Sequence, residues 1–512
     1  MKKIISIILL LMLIYVGTSA QSGPFQNSST SIYIDLYNDF TPLAESDESL
    51  LFTTYRSFYW GSTFYFFKLD KETHELTPKY LGYTIANLFT IYNEGMIMNI
   101  QAVNDDKTKI LSFRKAEFPV NEIPEELKYE EIKSMPFNPK DELTFSTAIS
   151  PDQSKYCALI RFYDNEKKFK GTHIIVFDRE GNILWEKTEE YSVTPNYVYT
   201  HTFISNEGKI YVIYKTFDEW TKDEKFDIFK KRDALLSANN FKVTSLNVLV
   251  FSESDFYQQV ENTDFGKIQS FDACLTREGN LFIGGYFANP DNLKKTTGVF
   301  SLLFNKSADL VSKKINHLEN DYMPDNFPGY EQKEMRENDF VTRAAKIYEL
   351  ENGNLVMLGE QIYLRGDEHF IKNIIANTFL KDGSLLKTTV IPSAYDFDDS
   401  YSSLSLNSRT YTFSSFCEGS DIYIFYNGNK KNFVEPEEQW LTFEGWDFKN
   451  ATVLLTKLSD DGNYQTKMVL PPVPKKDHLI HSAFAHNDNT AYVFLYLGNG
   501  YFKFETLDYD IF

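Results

Sequence analysis

Short apolar runs alternate with tight polar turns along almost the whole chain. The clearest unit is His173-Ile174-Ile175-Val176-Phe177, then Asp178-Arg179-Glu180-Gly181, then Ile183-Leu184-Trp185. It predicts strand, turn, strand, because Asp and Gly both tolerate left-handed backbone geometry and Asp can bond its own backbone. Weaker copies of this turn are Leu69-Asp70-Lys71-Glu72, Phe304-Asn305-Lys306-Ser307, Leu380-Lys381-Asp382-Gly383 and Leu458-Ser459-Asp460-Asp461-Gly462. A second family of turns also lies between apolar runs. It comprises Tyr92-Asn93-Glu94-Gly95, Ser150-Pro151-Asp152-Gln153, Ser205-Asn206-Glu207-Gly208, Arg277-Glu278-Gly279-Asn280, Glu351-Asn352-Gly353-Asn354, Cys417-Glu418-Gly419-Ser420 and His486-Asn487-Asp488-Asn489.

Successive turns of the second family are roughly 55 to 75 residues apart, and most intervals hold one turn of the first family. That spacing predicts four strands per repeat, here A to D, with the second family joining A to B and the first joining C to D. Four-stranded repeats closing into a ring make an all-β fold, a β-propeller. Eight blades is the favoured count, with Ser31-Ile32-Tyr33-Ile34 as the first A strand. Seven, with the chain ends sharing a blade, is next. The motif Asp178-x-x-Gly181-x-x-x-Trp185 resembles the strand-end signature of the PQQ-like and related propeller repeats. The whole pattern is similar to that of exported bacterial propeller proteins. The Trp occurs in a single blade, so the resemblance implies the fold and no quinone; no cofactor is expected.

Strands that alternate in direction put A–B and C–D turns on one end of the disc, and B–C and D–A connections on the other. Long insertions are expected near 215–241, 317–343, 391–410 and 426–447, all on the B–C and D–A end. Thr221-Lys222-Asp223-Glu224 is a capping box, which predicts a short helix near 221–239. Trp220, Tyr330, Trp440 and Trp446 fall in the insertions. Aromatic rings beside carboxylates suit a sugar, since a ring stacks on the apolar face of a pyranose and carboxylates accept its hydroxyls. The same rings could equally pin the insertions to the disc.

Composition bears on export and partners. Lys2 and Lys3, the apolar Ile4 to Val16 and the small residues Gly17-Thr18-Ser19-Ala20 form a secretory signal. Residues 1–20 are therefore expected to be removed, leaving 21–512 as one propeller domain that does not span a membrane, in the periplasm or outside the cell. The formal charge of −20 argues against a nucleic-acid partner. The 33 Tyr and 44 Phe of the 512 residues favour pleated, half-buried strands. Cys157, Cys274 and Cys417 sit inside apolar strand patterns and read as core residues, not as a disulfide framework.

Candidate chemistry gathers at the central channel, whose wall the A strands form. Polar residues expected at its insertion-bearing mouth are His201, Asp272, Arg343, Arg409 and His481. Such a set could bind an anion or move protons, or simply be a solvated rim. Asp396, Asp398 and Asp399 are the weak candidates for a metal, without the glycine turn or distal Glu of a calcium loop. His478, His481 and His486 cannot all face one ion along a strand. Walker, GxSxG, HExxH and paired CxxC motifs do not occur. The expected function is an exported binding or scaffolding module, with a glycan or an envelope protein at the insertion-bearing end. The alternative is a glycan hydrolase or lyase with carboxylates at the channel mouth.

Overall fold

The computed structural model describes residues 86–217, 243–318, 340–397, 413–429 and 451–470, apart from a few positions. It also describes most of 41–84 and 479–512, and short strands at 25–26, 31–33 and 443–444. Every described element is a strand or a turn. The described strands form eight sheets, antiparallel except for one short parallel pairing. The expected helix near 221–239 lies outside the described residues.

Blade 3 shows how the sequence makes a sheet. Its strands are Glu142–Ile149, Lys155–Tyr163, Phe169–Asp178 and Ile183–Glu189, paired in that order. The two middle strands are buried almost throughout, whereas the outermost alternates. Neighbouring blades cover both faces of the middle strands, so continuous apolar runs such as Cys157-Ala158-Leu159-Ile160 are required there. The turn between the third and fourth strands is the one the sequence singles out. Asp178 Oδ1 accepts the N–H groups of Glu180 at 3.0 Å and Asn182 at 2.8 Å. Gly181 has φ +80°, and a Cβ there would lie 2.6 Å from Met98 Sδ of blade 2, so the position needs glycine twice over.

The core is a series of apolar layers between blades. Blades 1 and 2 meet through Leu51, Phe66, Ile97 and Phe118. Blades 2 and 3 meet through Ile100, Phe113, Ile160 and Phe177. Blades 3 and 4 meet through Leu159, Ile174, Val212 and Tyr214. Comparable layers join each later pair up to blades 7 and 8. Each sheet from blade 2 to blade 7 therefore shares its two faces between two layers, the arrangement of a β-propeller.

Closure differs from the sequence expectation. Ser31–Tyr33 is not the inner strand of the first blade. It pairs with Tyr501, Phe502 and Lys503 of the last strand, and Phe25–Gln26 pairs with Leu507 and Thr506 of that same strand. The two chain ends thus share the eighth sheet. The inner strand of blade 1 is Thr41–Glu45. Pro42 hides it in the sequence, because proline removes a ladder donor; the register shifts beside it, between Pro42 and Ala44.

One buried group sets an acid limit. His173 on the third strand of blade 3 is 6 % exposed, its Nδ1 is 2.8 Å from Thr188 Oγ1, and Glu186 is 3.8 Å from its Nε2. Burial lowers its pKa below the ordinary 6.5, against the opposing pull of Glu186. The unfolded chain therefore takes up a proton before the folded one does. Stability is expected to fall as pH drops below 6.5, until the lowered folded value is passed. Melting temperatures of the native chain and His173→Gln, measured from pH 7.5 downwards, should converge as the pH falls.

Candidate functional site

The inner strands of six blades are bulged against their second strands. The register shifts at Pro42/Ala44, Asn87/Phe89, Tyr199/His201, Ile268/Ser270, Ala344/Lys346 and Ile480/Ser482. A bulge leaves one residue unpaired and re-aims the side chain after it. Thr200 is such a residue in Tyr197–Ile204. Tyr199 pairs with Tyr214 and joins the layer towards blade 3. His201, two residues on, pairs with Ile213, whose side chain lies in the layer towards blade 5. A regular strand would point both the same way.

His201 thereby meets Asp272, on the inner strand Lys267–Leu275 of blade 5: Nε2 is 3.0 Å from Oδ1. Its ring lies between Phe203 and Phe271, with centroids 6.0 and 5.4 Å away. A carboxylate acceptor calls for the proton on Nε2, which leaves the lone pair on Nδ1. Nδ1 is buried without a hydrogen-bond partner. The pair in this geometry ties two blades together, and the nitrogen able to act as a base is enclosed.

His201 is the fifth of eight residues in its strand and Asp272 the sixth of nine, so both lie part-way down the channel wall and not at its mouth. Arg343, on the inner strand Phe340–Glu349 of blade 6, does not join them as an open cation. Its Nη2 donates to Glu360 Oε2 at 2.5 Å, and Glu360 is fully buried directly across the ladder. The sequence reading missed Glu360. Its signal was a lone carboxylate inside the apolar run Leu355–Ile362.

Other expected site residues fall outside what is described. These are Trp220, Tyr330, Arg409, Trp440, Trp446, Asp398 and Asp399. His481 is the bulged residue of Leu479–Ala485, and Asp396 lies in Leu385–Phe397. One piece of the blade 7 insertion is seen: Phe443–Glu444 pairs in parallel with Tyr395–Asp396 of blade 6. Trp440 and Trp446 flank that contact in sequence. Among the described residues no group of three or more His, Cys, Asp or Glu side chains could hold a metal ion, and all three cysteines are free thiols. No described helix is long and apolar enough to cross a membrane.

The two ends of the disc differ in what their connections do. At the A–B and C–D end, each blade holds the turn of the next. Lys115 Nζ donates to Glu180 O, Lys155 Nζ to Asn206 O and Lys209 Nζ to Lys306 O, at 3.3, 2.5 and 2.6 Å. Ser301 Oγ donates to Gly383 O and Thr389 Oγ1 to Gly462 O, at 2.6 and 2.7 Å. These turns are latches between blades 2 and 7, and their carbonyls are used. At the opposite end stop the strands that lead into the long connections 218–242, 318–339, 398–412 and 430–450, each of which joins a second to a third strand or one blade to the next.

No family profile and no curated protein sequence matches the chain. Solved structures with a similar course of strands include the β-propeller domain of the Trilobed protease from Pyrococcus furiosus, at 7 % identity and TM-score 0.33, covering 87 % of this chain and 98 % of that one. The Nup133 β-propeller domain of Vanderwaltozyma polyspora gives 10 %, 0.37, 91 % and 100 %. An ulvan lyase, a polysaccharide lyase, gives 9 %, 0.38, 86 % and 96 %. At such scores these likenesses carry no inference about ligand or reaction.

Proposed function

We propose that the protein is an exported binding or scaffolding propeller that engages a glycan or an envelope protein at its insertion-bearing end. The observation that supports this is the division of labour between the two ends. Turns at one end are committed to latching neighbouring blades, whereas the strands that lead into the long connections end at the other. Long irregular connections on a rigid scaffold are where binding residues concentrate. The hydrolase or lyase reading needs available carboxylates at the channel. Asp272 on its wall and Glu360 behind it are engaged by His201 and Arg343.

The test is a glycan-array screen of the chain from Gln21, beside a Trp220→Ala, Trp440→Ala, Trp446→Ala triple variant. Binding by the native chain that falls at least tenfold in the folded variant is the expected result, since base-stacking and sugar-stacking aromatics each contribute on the order of 1 kcal/mol or more. Binding that survives the triple variant but is lost on Lys209→Ala, at the latch end, would sink the assignment. Turnover of a bound glycan would favour the enzymatic reading instead.

A further inference from the structure

Arg161 is the seventh of nine residues in Lys155–Tyr163, the second strand of blade 3, and it points into the layer between blades 3 and 4. It is 3 % exposed. Its Nη1 donates to Ser146 Oγ at 2.8 Å, and its guanidinium carbon stands 3.8 Å from the centre of the Tyr199 ring. Its Nε and Nη2 are buried and have no hydrogen-bond partner. Stacking on Tyr199 offsets part of the lost hydration, but a guanidinium can use five donors, and a buried cation normally has a carboxylate beside it.

Which nitrogens are left over is informative. Nε and Nη2 form one edge of the guanidinium, with two parallel N–H bonds. That edge matches the two oxygens of a carboxylate in a bidentate pair. We propose that Arg161 is the anchor of a carboxylate-binding site between blades 3 and 4, and that the carboxylate belongs to a uronic acid residue of a glycan.

The surroundings favour a sugar as its carrier. Tyr191, in the link from blade 3 to blade 4, and Tyr199 are half-buried beside the guanidinium. Their hydroxyls are 2.9 Å apart, and Tyr191 is 3.0 Å from Thr172 Oγ1. Thr172 is the cross-strand partner of Arg161. Burial raises the pKa values of both phenols and keeps them neutral, and the chain Thr172–Tyr191–Tyr199 uses two of its three hydroxyl protons internally, so that one is left to donate to a hydroxyl or a ring oxygen. Tyr163, at the end of the same strand as Arg161, and Tyr197, at the start of the strand that carries Tyr199, mark this as the insertion-bearing end of the layer. The site does not depend on the tryptophans of the insertions, so it stands or falls separately from the reading above.

Calorimetric titration of the chain from Gln21 with trigalacturonate tests the proposal, with its neutral methyl ester and a glutamate-terminated tripeptide as parallel probes. The native chain is expected to bind the acid, with the ester at least about tenfold weaker, as loss of a charge-assisted pair implies. Arg161→Lys keeps the charge but loses the paired edge, and is expected to weaken the acid to the level of the ester. Arg161→Met is expected to abolish binding and yet to melt no lower than the native chain, because it removes an unpaired buried charge. The Trp220, Trp440 and Trp446 triple variant is expected to retain binding. Equal affinity for acid and ester, no binding of either, or a native-like affinity in Arg161→Lys would overturn the site. Preference for the peptide over trigalacturonate would overturn the uronate assignment. A large fall in melting temperature for Arg161→Met without ligand would make Arg161 a structural residue.

Discussion

A chain that starts at Thr41 is expected to fold with its last blade open and to melt about 3–10 °C below the chain from Gln21. The deletion removes the partners of Tyr501, Phe502, Lys503, Thr506 and Leu507. Ladder hydrogen bonds contribute about 1 kcal/mol each, so the direct loss is on the order of 3–5 kcal/mol. In a domain this large such a loss lowers the melting point by a degree or two per kcal/mol. The indirect effect is on association. The edge of Tyr501–Asp508 becomes an unpaired strand, and unpaired edges recruit other chains. The truncated chain is therefore expected to elute partly as dimer or larger in size-exclusion chromatography. A synthetic peptide of residues 21–40 should restore both the melting point and the monomer, by adding back the missing strand. A truncated chain that melts like the longer one would show that the shared sheet contributes nothing to closure.

That closure was only half legible beforehand, and the reason is physical. Turns can be read locally. Asp178 bonds to Glu180 and Asn182 within its own turn, and Gly181 is needed by its own backbone, so a few consecutive residues carry the whole signal. The same holds for Gly208, Gly279, Gly353, Gly383 and Gly462, all at positive φ. The middle strands are legible because two covering layers demand unbroken apolar runs. The Ser31 strand was recognised as a strand and misplaced, because its partner lies at the other end of the chain. Thr41–Glu45 was overlooked because Pro42 weakens its pattern.

The candidate site followed the same division. His201 and Asp272 were singled out together, and they meet, because equivalent positions on neighbouring inner strands are brought together by the repeat itself. The Thr200 and Gln269 bulges that aim them have no local signature. Arg343 is engaged by Glu360 across the ladder, a contact that no run of consecutive residues announces. A single Arg at the end of an apolar run is ordinary in a sequence, and what distinguishes Arg161 is that its Nε and Nη2 have no acceptor while Nη1 bonds Ser146.

The two buried arginines should respond to the same substitution with opposite signs. Arg343→Met would leave Glu360, which is fully buried, without the guanidinium 2.5 Å away. Stranding one partner of a buried pair costs about 3–5 kcal/mol, and that is the expected drop in urea unfolding free energy. Replacing both, as Arg343→Met with Glu360→Leu, should recover part of it, because the two charges are then removed together. Additivity of the two single losses would mean that the contact is not a coupled pair. Arg161→Met strands nothing, since no carboxylate bonds to Arg161. It should leave stability unchanged or raise it by about 1 kcal/mol or more, in line with the replacement of unfavourable buried charges by apolar groups. A paired arginine that stabilises the ring, beside an unpaired one that burdens it, is the pattern expected when the second is kept for a ligand.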